Sequence, residues 1–287
     1  MELSKDVLRL FPPSAGAVIQ TEAFKLGDAI EEIRCRVGKP YVLLSSRGEH
    51  AVPSQTGHAA DLDYILERAS NFSYHAVASE LSSGFVHTTG GCRVGVCGMV
   101  CAAGVNQISS LSVRVPHEIV GCADALKAEL LRNGIQNTLI VSPPGAGKTT
   151  LLRDVIRVYS CSGYRVSVAD ERGEIAAVFQ REPQFDLGPR TDIMSGGKKR
   201  EACMMLLRAM NPQVLAFDEI TSEDDIDAAV YAFGCGVSLL ATAHAESAEA
   251  LHRRRLYRML LDEHIFQRII EISVASGKRR YEVVNLR

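Results

Sequence analysis

The segment between residues 142 and 150 has the residue types and spacing that bind phosphate groups. It reads Ser142, Pro143, Pro144, Gly145, Ala146, Gly147, Lys148, Thr149 and Thr150. An apolar run at 138–141 predicts a strand before it, and the pattern at 151–156 predicts a helix after it. A strand, a glycine-rich loop and a helix in this order are typical of a P-loop. The segment is therefore predicted to bind ATP through backbone N–H groups and the helix N-terminus.

Individual residues of this segment suit separate parts of nucleotide binding. Gly145 and Gly147 lack a Cβ, so the backbone can approach the phosphates closely. The Lys148 ammonium can reach the β- and γ-phosphates, and the Thr149 hydroxyl can bind Mg²⁺. One position departs from the pattern, because Ser142 stands where a P-loop usually has its first glycine. The alternative interpretation is a glycine- and proline-rich turn before a helix.

A pair of carboxylates, Asp218 and Glu219, ends an apolar run at 214–217. In a P-loop ATPase we expect this strand to lie directly beside the P-loop strand. Asp218 would then hold Mg²⁺ through water, and Glu219 would orient the water that attacks the γ-phosphate and accept its proton. The alternative is a strand that ends in two ordinary solvated acids.

A polar sequence, Thr242-Ala243-His244, ends the next apolar run at 237–241. This position of the sheet faces the γ-phosphate, so His244 is the candidate that senses hydrolysis, with Thr242 supporting it. A histidine that only caps the end of a strand is the alternative.

The run at 165–169 ends in Asp170 and Glu171, which are predicted to point toward the same edge of the sheet. Glu171 could bind the attacking water or a ribose hydroxyl, or form a structural salt bridge with Arg172. The transition state also needs positive charge from an arginine, which neighbouring subunits often supply. Arg190, Arg208 and Arg172 are the candidates, and a surface role is the alternative for each.

These residues need a scaffold of alternating strands and helices, which predicts a mostly parallel sheet. We expect an α/β fold with a RecA-like P-loop NTPase domain at 126–287 and a smaller α/β N-terminal domain at 1–125. The N-terminal part is predicted to contain short helices, strands and glycine-punctuated hairpins. Its strands carry Arg34, Arg36, Arg93 and Arg114, which form either a partner-binding surface or ordinary solvated faces.

Composition narrows the class of protein. The chain has 287 residues, 46% of them hydrophobic, and a formal net charge of -2, which does not favour a general polyanion binder. Its eight cysteines are scattered, and Cys92, Cys97 and Cys101 lack zinc-site spacing. The first residues form no apolar signal region, and no run approaches the roughly 20 residues of a membrane span. These features favour a reducing, cytoplasmic location.

Four further stretches resemble the sporulation stage III protein AA family, which is related to bacterial secretion ATPases. They lie at 33–40, 91–98, 112–118 and 188–192, and the resemblance covers nearly the whole chain. Cys92 stands where that family commonly has histidine. The resemblance implies a Mg-dependent ATPase of the mother-cell cytoplasm that energises a channel complex between mother cell and forespore. It also implies a ring of identical subunits, a hexamer, that docks on membrane-channel proteins.

Two other functions stay open on the residues alone. A nucleic-acid-stimulated ATPase would use the basic clusters at 253–255 and 278–280, but no stacking aromatics accompany them and Trp is absent. A scaffold that binds nucleotide without turnover is the second.

Overall fold

The computed structural model describes residues 2–101, 104–132, 134–275 and 278–286, and the chain forms two compact units. The first unit comprises Met1–His117 and Ala177–Gln184, and the second comprises Glu118–Ala176 and Phe185–Arg287. A boundary after residue 125, with partner binding and assembly by residues 1–125 and ATP hydrolysis by residues 126–287, stays a prediction.

The first unit has an antiparallel sheet of six strands with the order β3-β2-β1-β6-β5-β4. Its elements are α1 Lys5–Arg9, α2 Pro13–Leu26, β1 Ile30–Arg36, β2 Pro40–Ser45, β3 Gly48–Thr56, α3 Ala59–Ala69, α4 Ala78–Ser82, β4 Phe85–His87, β5 Arg93–Cys101 and β6 Gly104–Arg114.

Helices α2 and α3 contribute apolar faces to the core of this unit. On α3, Leu62, Ile65, Leu66 and Ala69 are buried at the spacing of one helix face. Pro12 and Pro13 predict the end of a first helix, and they do follow α1, but Pro13 also begins α2. Proline suits the first helical position because its missing N–H would have no partner there.

The second unit has a sheet of seven strands with the order β13-β12-β7-β11-β10-β8-β9. All neighbours are parallel except the β12–β13 hairpin. The elements are α5 Lys127–Leu130, β7 Thr138–Ser142, α6 Lys148–Cys161, β8 Val166–Asp170, β9 Thr191–Ser195, α7 Lys199–Ala209, β10 Val214–Phe217, α8 Glu223–Gly234, β11 Ser238–His244, α9 Ala248–His252, α10 Arg255–Asp262, β12 Arg268–Ala275 and β13 Lys278–Asn285.

The strand order corrects one expectation. The strand that precedes Asp218, β10, does not lie beside the P-loop strand β7, because β11 lies between them. Thr242 of β11 pairs with Ile140 of β7, and Ala241 pairs with Phe217 of β10. The sensor candidate His244 is therefore on the strand between the P-loop and the acidic pair.

The stretch 183–196 is rich in Gly, Pro and Asp, which predicts a loop, but it contains the edge strand β9. Each residue of β9 is half-buried or exposed, so the strand has no apolar run to signal it. The central strands β7, β8 and β10 are buried along their whole length, as expected of parallel strands covered on both faces.

Within the part of the chain that the structure describes, no helix is both long enough and apolar enough to cross a bilayer.

Candidate functional site

The predicted phosphate-binding segment has the geometry of a P-loop. Strand β7 ends at Ser142, and α6 begins at Lys148. Gly145 and Gly147 have φ values of 75° and 102°, a region that residues with a Cβ rarely adopt. Lys148 and Thr149 thus lie in the first turn of α6, where backbone N–H groups lack helical partners and an anion is favoured.

Ser142 is compatible with this loop although it replaces a glycine. It is buried, its backbone does not have a positive φ, and its hydroxyl donates to the carbonyl oxygen of Pro143 at 2.8 Å. A Cβ is therefore accommodated at this position, and the hydroxyl has a partner.

Asp218 is held by two threonines from neighbouring elements. The Thr149 hydroxyl donates to its Oδ2 at 2.9 Å, and the Thr242 hydroxyl donates to its Oδ1 at 2.6 Å. The N–H of Glu219 donates to Oδ1 at 2.9 Å and to the Thr242 oxygen at 3.0 Å. These bonds connect the ends of β10 and β11 to the first turn of α6 and fix the carboxylate beside the P-loop.

His244 connects Lys148 with Glu219. Nζ of Lys148 lies 2.8 Å from Nδ1 of His244, and Nε2 of His244 lies 3.2 Å from Oε1 of Glu219. A neutral ring with its proton on Nε2 satisfies both contacts, because the ammonium then donates to Nδ1. Burial lowers the pKa of Lys148 below its usual value, against the opposing effect of the Glu219 and Asp218 charges. Three of the predicted catalytic side chains, Lys148, His244 and Glu219, thus form one row of contacts.

Thr149 and Asp218 fit the predicted Mg²⁺ ligands. Their oxygens lie 2.9 Å apart, at the edge of the P-loop. Among the described residues no group of three or more His, Cys, Asp or Glu side chains could hold a metal ion by itself. Mg²⁺ in proteins is commonly held by one or two protein oxygens together with phosphate oxygens and water. The donor set therefore suits an ion that binds together with a nucleotide.

Glu171 lies on the same cleft as the acidic pair. This cleft of ≈ 20 Å³ is lined by Ala169, Asp170, Glu171, Arg172, Glu174, Lys199, Asp218 and Glu219. A space of that size is large enough for one water molecule. The Glu171 carboxylate lies 3.9 Å from Nζ of Lys199, so this salt bridge, rather than one to Arg172, is the contact that the geometry provides.

Lys199 is a site residue that the sequence analysis missed. Its buried side chain donates to the carbonyl oxygen of Glu219 at 2.5 Å and lies 3.2 Å from Oδ1 of Asp225. The signal was present in the sequence, since Lys198-Lys199-Arg200 begins a helix, where positive charge is unfavourable. Lys199 therefore positions the Glu219 backbone.

Asp170 has a structural task. Its carboxylate accepts hydrogen bonds from the N–H groups of Glu174, Ile175 and Ala176 at 2.8–3.1 Å. Burial raises the pKa of Asp170, and these bonds only partly offset that effect. The carboxylate thereby fixes the loop after β8 and is not free to bind a nucleotide.

The candidate arginines are not brought together. Arg190 precedes β9 and donates to the carbonyl oxygen of Gly163, which follows α6. Because α6 runs from the P-loop to the opposite edge of the sheet, Arg190 lies at that opposite edge. Arg172 lines the cleft with Glu219, and Arg208 is exposed in the last turn of α7. A catalytic role for Arg190 stays a prediction that requires a neighbouring subunit.

Arg254, predicted as part of a basic cluster, contacts the site instead. Its Nη1 donates to the carbonyl oxygen of His244 at 2.8 Å. The neighbouring Tyr257 hydroxyl donates to the carbonyl oxygen of Ile220 at 2.8 Å. These side chains fix the backbone at the ends of β11 and β10.

The segment at 121–123 is attached to α6 by Asp154. Its carboxylate accepts from the N–H groups of Gly121 at 3.1 Å and Ala123 at 2.6 Å, and pairs with Arg157 at 2.6 Å. Burial raises the pKa of Asp154, but these bonds outweigh it and hold the pKa below the usual value. The P-loop helix and this segment therefore form one hydrogen-bonded piece of the second unit.

The first unit contains the arginines and cysteines that the sequence singles out, and Arg93 of β5 lies opposite Arg114 of β6. Arg34 pairs with Glu32, and the Arg93 guanidinium lies 3.9 Å from the Phe85 ring. Cys92 is buried and its pKa is raised to about 12, whereas Cys97 is exposed. The Cys101 side chain lies outside the described part of the chain.

The parallel sheet, the P-loop and the acidic strand end place the chain in the α/β class of RecA-like P-loop ATPase folds. The crystal structure of the pilus retraction motor PilT with bound ADP matches with a TM-score of 0.65 and 19% identity, over 93% of this chain and 82% of that chain. The ATPase DotB from Legionella pneumophila matches with a TM-score of 0.61 and 16% identity, over 96% and 80%.

The chain belongs to the family described as sporulation stage III, protein AA, whose model matches residues 1–284. Stage III sporulation protein AA from Bacillus subtilis (strain 168) is 38% identical over 258 residues, which cover 86% of this chain and 84% of the relative. The resemblance to the sporulation stage III, protein AA family is confirmed, and the chain shares its fold with PilT and DotB.

Proposed function

We propose that this protein is a Mg-dependent ATPase that energises a channel complex between mother cell and forespore during endospore formation. The observation that carries the proposal is the row of contacts from Lys148 through His244 to Glu219, beside the Thr149–Asp218 pair. A chain that bound nucleotide only as a structural ligand would need the P-loop but not a carboxylate aligned with a second strand end.

Each side chain has a distinct task in this proposal. The loop N–H groups and Lys148 bind the phosphates, and Thr149 and Asp218 hold Mg²⁺. When bound, Mg²⁺ neutralises charge on the β- and γ-phosphates. Glu219 orients the attacking water and accepts its proton, and Lys199 and Thr242 fix the Glu219 backbone for this step.

His244 changes partners in this scheme. We propose that a bound γ-phosphate draws the Lys148 ammonium away from its 2.8 Å contact with His244. The imidazole then shifts toward Glu219 or the phosphate. This exchange would let the end of β11 respond to hydrolysis.

The assembly and location belong to the same proposal. Secretion-motor folds of this kind support a ring of identical subunits, which we propose here as a hexamer. The first unit is proposed to bind proteins of the membrane channel from the cytoplasmic side, and Arg190 is proposed to act on the nucleotide of a neighbouring subunit.

The test replaces Glu219 by Gln, which keeps the size and hydrogen bonding of the side chain but removes the base. ATP affinity should be retained, because Lys148, Thr149 and the loop N–H groups are unchanged. The single-turnover rate should fall about 10²–10⁴-fold, the usual contribution of a positioned acid or base. Glu171→Gln is the matched control, since it makes the same change on the same cleft and should have a much smaller effect.

Titration calorimetry and rapid-quench kinetics on one preparation separate the outcomes. A Glu219→Gln protein that hydrolyses ATP at the normal rate would move the base elsewhere, with Glu171 the first residue to examine. A wild-type protein that binds ATP without turnover, even with its channel partners, would support the nucleotide-binding scaffold instead.

A further inference from the structure

An arginine of the β12–β13 hairpin contacts the P-loop directly. Nε of Arg279 donates to the carbonyl oxygen of Ala146 at 2.9 Å. The guanidinium also lies against Gly147, where an added Cβ would come within 2.9 Å of Nε and 3.3 Å of Cζ. The φ of 102° favours glycine at position 147, and a Cβ there would displace the Arg279 side chain.

The hairpin reaches the loop because β12 is longer than the strand beside it. The β12–β7 pairing ends at Glu271 opposite Val141, but β12 continues to Ala275. Arg279, paired with Val274, consequently lies beyond the carboxyl edge of the sheet, at the level of the P-loop. Its position follows from the register of the hairpin and not from a flexible terminus.

The two sides of the P-loop strand carry different groups. On one side are β11 and β10, with His244, Asp218 and Glu219 at their ends. On the other side are β12 and β13 with Arg279. The γ-phosphate must lie beside Glu219 for hydrolysis, so the α-phosphate and the nucleoside extend away from it. Arg279 therefore lies where the diphosphate part of the nucleotide begins.

Most of the Arg279 guanidinium is available for a ligand. A guanidinium has five N–H donors, and Ala146 takes the one on Nε. Within the described ranges no hydrogen bond or salt bridge involves Nη1 or Nη2, and the side chain is exposed. The planar pair of Nη groups matches the oxygens of a phosphate, which is why arginine is common at such sites.

We propose that Arg279 binds the diphosphate part shared by ATP and ADP, within the same chain that supplies the P-loop. The proposal rests on the function proposed above, because it assumes that the P-loop binds a nucleotide. It assigns Arg279 to nucleotide affinity and not to the chemical step, which depends on groups at the opposite side of the loop.

The test compares Arg279→Ala with Arg280→Ala in the full chain. Arg280 is the matched control, since it carries the same charge on the opposite face of the same strand. Titration calorimetry should show affinities for MgATP and MgADP that are both reduced about 10- to 100-fold in Arg279→Ala, the size of a lost charged hydrogen bond. Arg280→Ala should bind both like the wild type, and its kcat at saturating ATP should change less than about twofold.

Two further variants distinguish ligand binding from support of the loop. Arg279→Lys keeps the charge but loses the paired Nη donors, so its ADP affinity should lie between those of the wild type and Arg279→Ala. Arg279→Gln keeps only a neutral donor and should bind as weakly as Arg279→Ala. Circular dichroism tests whether each variant is folded. If Arg279→Ala does not fold, the comparison of Arg279→Lys with Arg279→Gln still tests the proposal.

The outcomes separate this proposal from the one on which it rests. If the wild type binds nucleotide and Arg279→Ala binds ADP equally well, Arg279 has no part in binding. If Arg279→Ala lost affinity for ATP but not for ADP, Arg279 would lie at the γ-phosphate and the proposal would be wrong. The proposal would also be wrong if Arg279→Gln bound ADP normally and Arg279→Lys did not, because Arg279 would then only support the carbonyl group of Ala146. A wild type that binds neither nucleotide overturns the proposed function itself.

Discussion

His244 contacts both Lys148, which is proposed to bind phosphate, and Glu219, which is proposed to activate water. Lys148 lies 2.8 Å from Nδ1, and Glu219 lies 3.2 Å from Nε2. His244 is the last residue of β11, and its backbone lies opposite Ser142 of β7, at the start of the P-loop. A displacement of Lys148 is therefore transmitted to Glu219 through one side chain.

We predict that His244→Ala lowers turnover more than nucleotide affinity. The phosphates keep Lys148 and the loop N–H groups, so ATP affinity should change less than about threefold, whereas turnover should fall about 10- to 100-fold, the size of a hydrogen bond to a charged group. Steady-state ATPase assays with equilibrium binding measure both quantities.

His252→Ala is the control for this prediction, because His252 is exposed at the end of α9 and contacts none of the site side chains through its ring. If His244→Ala retained full turnover, His244 would be limited to capping the strand end.

The site residues differ in how far the sequence could reveal them. Asp218, Glu219 and His244 follow apolar runs, so their position at the carboxyl edge of a parallel sheet follows from chain direction alone. Lys199 reaches the site from the start of α7, and no spacing relates a helix residue to a strand end in another part of the chain. Asp170 also follows an apolar run and lies at the same edge, but its carboxylate accepts hydrogen bonds from the loop that follows β8. Position at this edge alone therefore does not identify a site residue.

At the scale of elements, strand order was the feature that the sequence could not supply. The apolar runs predict β7, β8, β10 and β11, but each could neighbour any other, because helical crossovers fix direction and not adjacency. The insertion of β11 between β7 and β10 is what brings His244 between Lys148 and Glu219. Edge strand β9 was missed because its residues are polar and half-buried.

Helix α6 is the element on which the site and the 121–123 segment both depend. We predict that Asp154→Asn lowers the free energy of unfolding at pH 7 by about 2–3 kcal/mol, since the buried carboxylate accepts from two backbone N–H groups and Arg157. Urea titration measures the loss. Asp124→Asn is the control, because its carboxylate is 62% exposed and contacts the same Arg157.

The effect of Asp154 should depend on pH in a defined direction. The pKa of Asp154 is lower in the folded protein than the usual value of about 3.9. The folded state therefore binds this proton more weakly than the unfolded chain. The stabilisation by Asp154 is complete above the pKa of the unfolded chain, and it is lost as the pH falls through the pKa of the folded protein. The difference between wild type and Asp154→Asn should stay constant from pH 8 to about pH 5 and narrow below about pH 4. A difference that grew on acidification would contradict this assignment.

At the scale of the molecule, we predict that bound ATP promotes assembly. If an arginine of one subunit completes the site of the next, ATP that is not hydrolysed should hold subunits together. Glu219→Gln with MgATP should then give the largest mass in light scattering, approaching a hexamer, and dilution should reverse it. Lys148→Ala with the same nucleotide should stay at the smallest mass, because it lacks the charge that binds the phosphates. Equal masses for the two variants would separate assembly from nucleotide binding.

The path of the chain between the two units affects how the protein can change over evolutionary time. Residues 177–184 belong to the first unit although the second unit surrounds them in sequence, and Gln184 accepts a hydrogen bond from the N–H of Gly90. The gene therefore encodes the first unit in two separated stretches. A single recombination event or a shortened reading frame that ends after residue 117 or 125 omits the second stretch. The unit cannot be transferred to another protein as one cassette, so its surface and the P-loop sheet are inherited together.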